Sequence, residues 1–571
     1  MTPPEPPPHA VVGRAGDGRG WSIARVEDPD ADIVAEHVPD DVLAVRIRDL
    51  EERYAPRWIV RSLRSFYPPL LERGIRLRRA WDLLLCHAIL RDTDALDTPL
   101  TASASWMRAD AIPEAGEQPG LFDVVPADGR HGDGFDDAVA QWRAQRAALR
   151  RARDGRLALL CTAESTGALV AEEMTAAGVP WSRRIHERIL EEELGPRPLR
   201  GARPARMAEL ATLIAAHLND ESVNVDSPPR LLRALHRVGV FVESTSKRSL
   251  AEVDHPVIAP LLEYKRLARL HAANGWAWLD DWVHGDRFRP VYLTGGVVTG
   301  RWASSGGGAL QIPRLLRAAV HADPGWTLVS ADVAQLEPRV LAAMARDDAM
   351  ADAARGADLY EGVVRSGAVA TRREAKYAVL GAMYGATTGE SGRLAPRLRS
   401  VFPRAMGLVD AAARVGEAGG VVSTLLGRSS PRPASSRVDG APRDGSQSIG
   451  EGTPGDESRA RARDRGRFTR NFIVQGTAAE WALVWLAEIR HRLMALPPAS
   501  VPAPASGPVF ATRPHLSLFL HDEVVVHCPA EQADAVAQIV RDAAAAATAR
   551  LFPGFAVDVP LDVHIGDDAG K

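Results

Sequence analysis

The hydrophobic pattern predicts long helices interrupted by a few short, wholly apolar runs. Residues 156–195 carry apolar side chains at helical spacing, among them Leu169, Met174 and Val179, then Ile185 and Ile189. Leu261 to Trp282 predicts another long amphipathic helix, and Phe135 to Arg153 an arginine-rich one. Strand-like runs stand at Trp21–Val26, Trp58–Val60 and Thr327–Val333, and two more flank residues 521–523. Trp81 to Leu90 reads as helical. Four stretches break the pattern. Residues 1–20 and 429–466 offer almost no core side chains and are expected to be disordered; 96–134 and 497–514 read as loops. No repeat of 20–50 residues is visible.

The 571 residues correspond to about three or four domains. A hydrophobic share of 46% and a charged share of 25% are those of a globular protein. No run of 18 apolar residues is free of charge, and the start, MTPPEPPPHA, lacks the layout of a secretory signal. The net charge of −3 excludes a wholly basic nucleic-acid coat, so any such binding must use local patches. Cys86, Cys161 and Cys528 are odd in number and far apart in sequence, which excludes a disulfide framework and fits a reducing cytoplasm. Only Lys247, Lys265, Lys376 and Lys571 are lysines among 70 basic residues.

Five runs carry candidate chemistry. In TLVSADVAQLEPRVLAAMARD (327–347) an apolar strand ends at Asp332, and Pro338 fits only the first turn of a helix starting near Gln335. A carboxylate there can hold a divalent cation beside amides that face phosphate; it can equally cap the helix. In HLSLFLHDEVVVHCP (515–529) a hairpin carries His521, Asp522 and Glu523 at its tip without a glycine. Two adjacent carboxylates repel unless a cation is bound, although a solvated acidic turn is the plain alternative. In TRREAKYAVLGAMYG (371–385) Arg372 and Lys376 share a helix face that continues at Leu380. Two cations and an apolar end suit a triphosphate and a stacked base, or else a solvated face over a core stripe. TGRWASS (299–305) precedes LQIPRLLRAAV (310–320), and RFTRNFIVQGTAAE (467–480) places Arg467, Asn471 and Gln475 on one polar face. Such a face can read minor-groove acceptors, or simply be solvated.

These five runs, in this order, resemble the family A DNA polymerases, the bacterial DNA polymerase I group. Asp332-Val333-Ala334-Gln335-Leu336-Glu337-Pro338-Arg339 resembles motif A, D-Y-S-Q-I-E-L-R. Arg372, Lys376 and Tyr384-Gly385 resemble motif B, and His521-Asp522-Glu523 motif C. Thr299 to Arg301 and Gln475 to Ala479 also match, and SPPRLLRAL and LLEYKRLARL look like thumb segments, so the resemblance covers residues 156–571.

The resemblance implies an α+β right-hand fold: a thumb over 156–290, palm over 291–345, fingers over 346–466 with the insertion 429–466, and palm again over 467–571. It implies primer-template DNA and dNTPs as partners, two Mg²⁺ ions, a monomer, no membrane, and a role in DNA replication or repair. Asp332 and Asp522, with the carbonyl of Val333, would hold metal, and Glu523 would assist. Arg372 and Lys376 would bind the triphosphate, with Lys376 protonating pyrophosphate. Gln335, Glu337, Leu380, Tyr384 and His521 would surround the nucleotide, Glu337 blocking a 2′-hydroxyl; Arg301, Arg467, Asn471 and Gln475 would touch DNA.

Two departures matter. Leu380 stands where the family has Phe or Tyr, which removes an aromatic face from the sugar and leaves room for an RNA or mixed-sugar polymerase. A primer-template binding protein with its chemistry lost is the non-enzymatic alternative, opposed by the joint presence of Asp332, Asp522, Arg372 and Lys376. Residues 57–90 resemble part of the family's proofreading exonuclease domain, which needs four carboxylates, including D-x-E on its first strand. No acid lies between Tyr54 and Leu71 or in Trp21–Val26, and Asp82 matches a non-catalytic position. Residues 21–155 are thus expected to be a degenerate RNase H-like exonuclease domain without proofreading, with no 5′-nuclease domain before it.

Overall fold

The computed structural model describes residues 8–570, except 102, 107–133, 200, 252, 309–311, 357, 386–388, 434–453 and 521. They form two compact units. The first comprises residues up to 177, 291–305 and 325–565; the second comprises 178–290, 306–324 and 566–571.

The first unit opens with a five-stranded sheet: β1 (His9–Arg14), β2 (Trp21–Val26), β3 (Glu36–Val38), β4 (Arg57–Val60) and β5 (Arg79–Asp82), in the order β3-β2-β1-β4-β5. β1 pairs antiparallel with β2 and parallel with β4, and β4 runs parallel to β5. The helix Leu43–Tyr54 provides the crossover that a parallel neighbour requires. Both faces are covered. Ala10, Val12, Trp58 and Val60 pack with Ile47 and Leu50 of that helix. Val11, Ile59 and Trp81 pack with Cys86, Trp142 and Leu160 from helices Leu83–Asp92, Phe135–Arg150 and Arg156–Ala177.

This sheet corrects the expected disorder of residues 1–20. Residues 1–7 lie outside the described residues, but His9–Arg14 is the central strand, buried from Ala10 to Gly13's predecessor Val12. A strand covered on both faces shows no alternation, so an apolar run of three residues, Ala10 to Val12, amid Pro and Gly gives little signal. Trp81–Leu90 likewise divides into the end of a strand and a helix, and Asp82 is the hinge.

The second sheet of the unit has the strand order His515–Leu520, Glu523–Pro529, Trp326–Val333, Leu561–Gly566. The helix Ala533–Leu551 packs on it and on the long helix Pro454–Leu493; Trp485 of the latter donates to the Val540 carbonyl at 3.1 Å. A further helical core joins Leu336–Ala345, Leu359–Arg365, Arg372–Tyr384 and Pro403–Glu417 to Phe472 and Ile473 of the long helix. The long helix has the length and apolarity to cross a membrane, but its most apolar window is 78% buried within the protein, as in a core helix.

That helix also corrects the expected disorder of 429–466. Residues 434–453 lie outside the described residues, yet 454–466 are helical. The Arg, Ala and Asp side chains of 458–466 build no core but are compatible with a helix that is anchored further on. At the other end Ser429 and Ser430 are buried, and the Ser430 amide donates to Val422 O at 2.8 Å.

In the second unit the helices Arg183–Leu194, Ala205–His217, Pro228–Arg237, Ile258–Asn274 and Trp276–Trp282 accompany three short strands. Trp181, His186, Trp278 and Phe288 form an aromatic cluster with ring centroids 4.9–5.6 Å apart. The helix Arg156–Ala177, which the sequence pattern joins to this region, belongs to the first unit. The break is Gly178, at φ +70°, followed by Val179–Pro180, which pairs with Arg287–Phe288. The run 261–282 is broken too, at Gly275, where a Cβ would lie 2.3 Å from the His271 carbonyl oxygen.

Candidate active site

The strand Trp326–Val333 is buried at every position except Asp332. It pairs antiparallel with Glu523–Pro529, and the register sets Asp332 opposite Glu523. Asp522 precedes Glu523 in the turn, and its carbonyl accepts the Val333 amide at 3.1 Å. Three acids from segments about 190 residues apart in sequence thereby meet at one end of the sheet. Burial pushes the Asp522 carboxyl up to about 6, and the Asp332 carboxylate adds to the effect, followed by Glu337 and Glu523. Mutual repulsion in a half-buried site suits a divalent cation. Among the described residues no group of three or more His, Cys, Asp or Glu forms a ready-made metal site. Two aspartates can still hold a divalent ion that takes its remaining oxygens from carbonyls, water and substrate. His521 lies outside the described residues.

The turn after Asp332 is unusual. Gln335 adopts φ +50°, left-handed, and is the N-cap of Leu336–Ala345. Its side-chain oxygen accepts from the Leu359 amide at 3.0 Å and from Arg339 at 3.3 Å, so here it is engaged with protein. Arg339 is fully buried. It donates to the carbonyls of Ala334, Ala354, Gly356 and Asp558 and to Gln335, occupying all five of its N–H groups. Burial brings it down to about 10. Nothing in the local pattern distinguishes Arg339 from a solvated helical arginine; only its place in motif A singles it out.

Glu337, on the same helix, accepts from the Tyr384 hydroxyl at 2.5 Å and pairs with Arg301. Gln475 also reaches Tyr384. The structure thus gathers four of the expected residues, Arg301, Glu337, Tyr384 and Gln475, into one linked set of polar groups, and the Glu337 charge is felt at Asp522. Asn471 and Arg467 continue the face of the long helix. Arg467 is exposed and paired with Asp464, and Asn471 Oδ1 is buried without a hydrogen-bond partner.

Arg372–Tyr384 begins with a capping box, Thr371 and Glu374 exchanging bonds with each other's backbone, and ends at Gly385, φ +73°. Arg372 and Lys376 are exposed on one face and Leu380 is half-buried. Arg372 Nε donates to Asp358 at 2.6 Å and its guanidinium lies 5.7 Å from the Tyr360 ring centroid. Asp358 and Tyr360 were not legible as partners of Arg372. The signal in sequence is only Asp358's place before a helix.

A sheet with paired aspartates at its end and a helical segment presenting Arg372 and Lys376 have the layout of a right-hand polymerase fold. The family model for DNA polymerase family A matches residues 199–570, and the chain belongs to that family. It is 27% identical over 363 residues to DNA polymerase I, thermostable, of Thermus filiformis, covering 57% of this chain and 38% of that protein. DNA polymerase I of Chloroflexus aurantiacus is 26% identical over 371 residues, 60% of this chain and 35% of that protein. The chain thus spans little more than a third of the length of the curated relatives it matches. Among solved structures, the POL domain of Pol1 from M. smegmatis, in complex with DNA primer-template and dNTP, has the same fold. It matches with a TM-score of 0.68 at 18% identity, over 99% of this chain and 95% of that one.

Proposed function

We propose that the protein is a template-directed DNA polymerase, adding deoxynucleotides to a primer 3′ end with release of pyrophosphate, in DNA replication or repair. The observation that carries this is the meeting of Asp332 and Asp522 at the end of the palm sheet. Two Mg²⁺ ions held by Asp332, Asp522 and the Val333 carbonyl would neutralise charge on the attacking oxygen and the phosphates. Glu523, on the strand opposite Asp332, assists without ligating. Arg372 and Lys376 bind the triphosphate and Lys376 gives a proton to the departing pyrophosphate. Glu337 stands under the sugar, oriented by Arg301 and Tyr384, with Gln335, Leu380 and His521 around the nucleotide. Arg301, Arg467, Asn471 and Gln475 face the primer-template, and the second compact unit supplies the thumb.

The N-terminal sheet precedes the family match at residue 199. Its order and strand directions support an RNase H-like origin. At the carboxyl ends of β1 and β4 a cavity of about 200 Å³ is lined by Arg14, Arg61, Ser62 and Ser65 and, among the described residues, by no carboxylate. We read it as an exonuclease fold that shows no metal-binding cluster of acids among the described residues. The protein is taken as a monomer in the cytoplasm, in keeping with three buried, free cysteines.

Leu380 favours one second reading, a polymerase that accepts ribonucleotides. Primer extension with dNTPs or rNTPs, wild type beside Asp332→Ala, tests both. Extension with dNTPs by wild type alone supports the first reading, and equal use of rNTPs supports the second. Binding of primer-template without any extension would leave a DNA-binding descendant.

A further inference from the structure

We propose that Asp358 is a competitor for the incoming nucleotide, its carboxylate holding Arg372 until a triphosphate displaces it and taking Arg372 back as pyrophosphate leaves. The proposal rests on the reading of Arg372 as a triphosphate ligand. Asp358 would be a positioning residue, acting only through Arg372.

The geometry divides the labour of the two carboxylate oxygens. Oδ1 caps the helix Leu359–Arg365, accepting from the Tyr360 amide at 2.9 Å and the Glu361 amide at 3.4 Å. Oδ2 accepts from Arg372 Nε at 2.6 Å. The cap bonds stay when Arg372 leaves, so the acid remains stationed. The segment behind it is fixed as well. The Leu359 amide is bound to Gln335, and Arg339 grips the Ala354 and Gly356 carbonyls on one side and Ala334 on the other. The turn that follows Asp332 therefore sets where the Asp358 carboxylate stands.

The arginine is the movable partner. Its side chain is 51% exposed against 29% for Asp358, so a ligand can reach it. An exposed pair of this kind is worth up to about a factor of five in affinity, small enough to be exchanged at every turnover. A guanidinium gains more from a phosphate with several charged oxygens than from the one carboxylate oxygen it holds here. Lys376, one turn along, makes no hydrogen bond or ion pair with described residues. One cation of the pair is open for first encounter and the other is paired with Asp358. Because the exchange affects the bound nucleotide and the bound product alike, it acts on KM and on product inhibition and leaves kcat in place.

Asp358→Asn tests this, because asparagine caps a helix as well as aspartate but carries no charge. Asp358→Ser, another uncharged cap, is the control for folding. Both are expected to lower the dNTP KM and the pyrophosphate inhibition constant together, by about three- to five-fold, without raising kcat. In the Arg372→Ala background Asp358→Asn should change neither constant. If Arg372→Ala raises KM while Asp358→Asn leaves both constants unchanged, the competition is overturned and the ligand role of Arg372 stands. If Arg372→Ala leaves KM unchanged, the ligand role itself falls and the proposal with it.

Discussion

Asp332 stands directly across the sheet from Glu523, and Asp522 is the residue before it. The strand register alone thus separates two kinds of acid, one on each strand end and one in the turn between strands. Asp332→Ala and Asp522→Asn are each expected to lower extension by at least about 100-fold, the scale on which removing a group aimed at transition-state charge acts. Glu523→Gln should cost less. Single-nucleotide turnover in Mg²⁺ measures all three, and near-wild-type turnover by Asp522→Asn would sink the metal assignment.

Glu337 has two partners, the Tyr384 hydroxyl and Arg301. Glu337→Ala is expected to raise rNTP use relative to dNTP use by about ten-fold or more, the usual scale for a contact that rejects one small group. Tyr384→Phe should do so more weakly, because Arg301 still orients the acid. Paired kcat/KM values for a dNTP and its rNTP give the ratio; no change in Glu337→Ala would remove Glu337 from sugar selection.

The N-terminal domain should not proofread. Asp82 stands where strand β5 ends, with Glu172 beside it, and both its oxygens accept backbone amides, Leu85 at 3.0 Å and Leu63 at 2.7 Å. It starts two helices and so has a structural use. A mismatched primer incubated with Mg²⁺ and no dNTP is expected to keep its length. Stepwise trimming from the 3′ end, retained in Asp332→Ala, would contradict the reading.

What was legible follows from chemistry that is local. Asp332 and Asp522 stand out because an acid closing an apolar run has few uses. The facing of Asp332 and Glu523 depends on a strand pairing across about 190 residues, which no local pattern encodes. Arg339 reads as a surface arginine; its burial is possible because four carbonyls, two of them from 354–356 and one from Asp558, converge on it. Asp358 carries no mark in the sequence that ties it to Arg372, and its second oxygen becomes informative only when Arg372 is seen beside it. His9–Arg14 was hidden by its Pro and Gly neighbours, and the helix breaks at Gly178 and Gly275 by side chains on either side that keep an apolar rhythm.

Glu480 makes stability depend on pH. It is fully buried, accepts from Thr424 and from the Leu426 amide at 3.0 Å, and burial pushes its carboxyl up to about 7 from 4.5. The folded value lies above the unfolded one, so stability from this group is present in full below 4.5 and is lost as pH rises toward 7. Glu480→Gln mimics the protonated form. The variant's Tm relative to wild type should rise between pH 5 and pH 8, by roughly the effect of 2–3 kcal/mol. A difference that stays constant with pH would show that Glu480 does not titrate there.

Glu173 has the opposite sign. It is buried, yet Arg490 and then Arg76 hold it down to about 2 against the pull of burial. Arg490 approaches at 2.6 Å and Arg76 at 2.7 Å, and the Tyr67 hydroxyl donates at 2.9 Å. Arg490 also donates to the carbonyls of Leu77 and Arg78, so the cluster ties the long helix to the segment before β5. Removing one partner of such a group leaves buried charge uncompensated, at a cost of about 3–5 kcal/mol. Glu173→Gln should therefore lose about that much at pH 7 in urea unfolding. The folded value lies below the unfolded 4.5, so the wild type's advantage is present above 4.5 and shrinks as pH falls toward 2. Comparing the two proteins at pH 7 and at the lowest pH where both still fold gives the test. An advantage that grows on acidification would mean that the arginines do not hold Glu173 ionised.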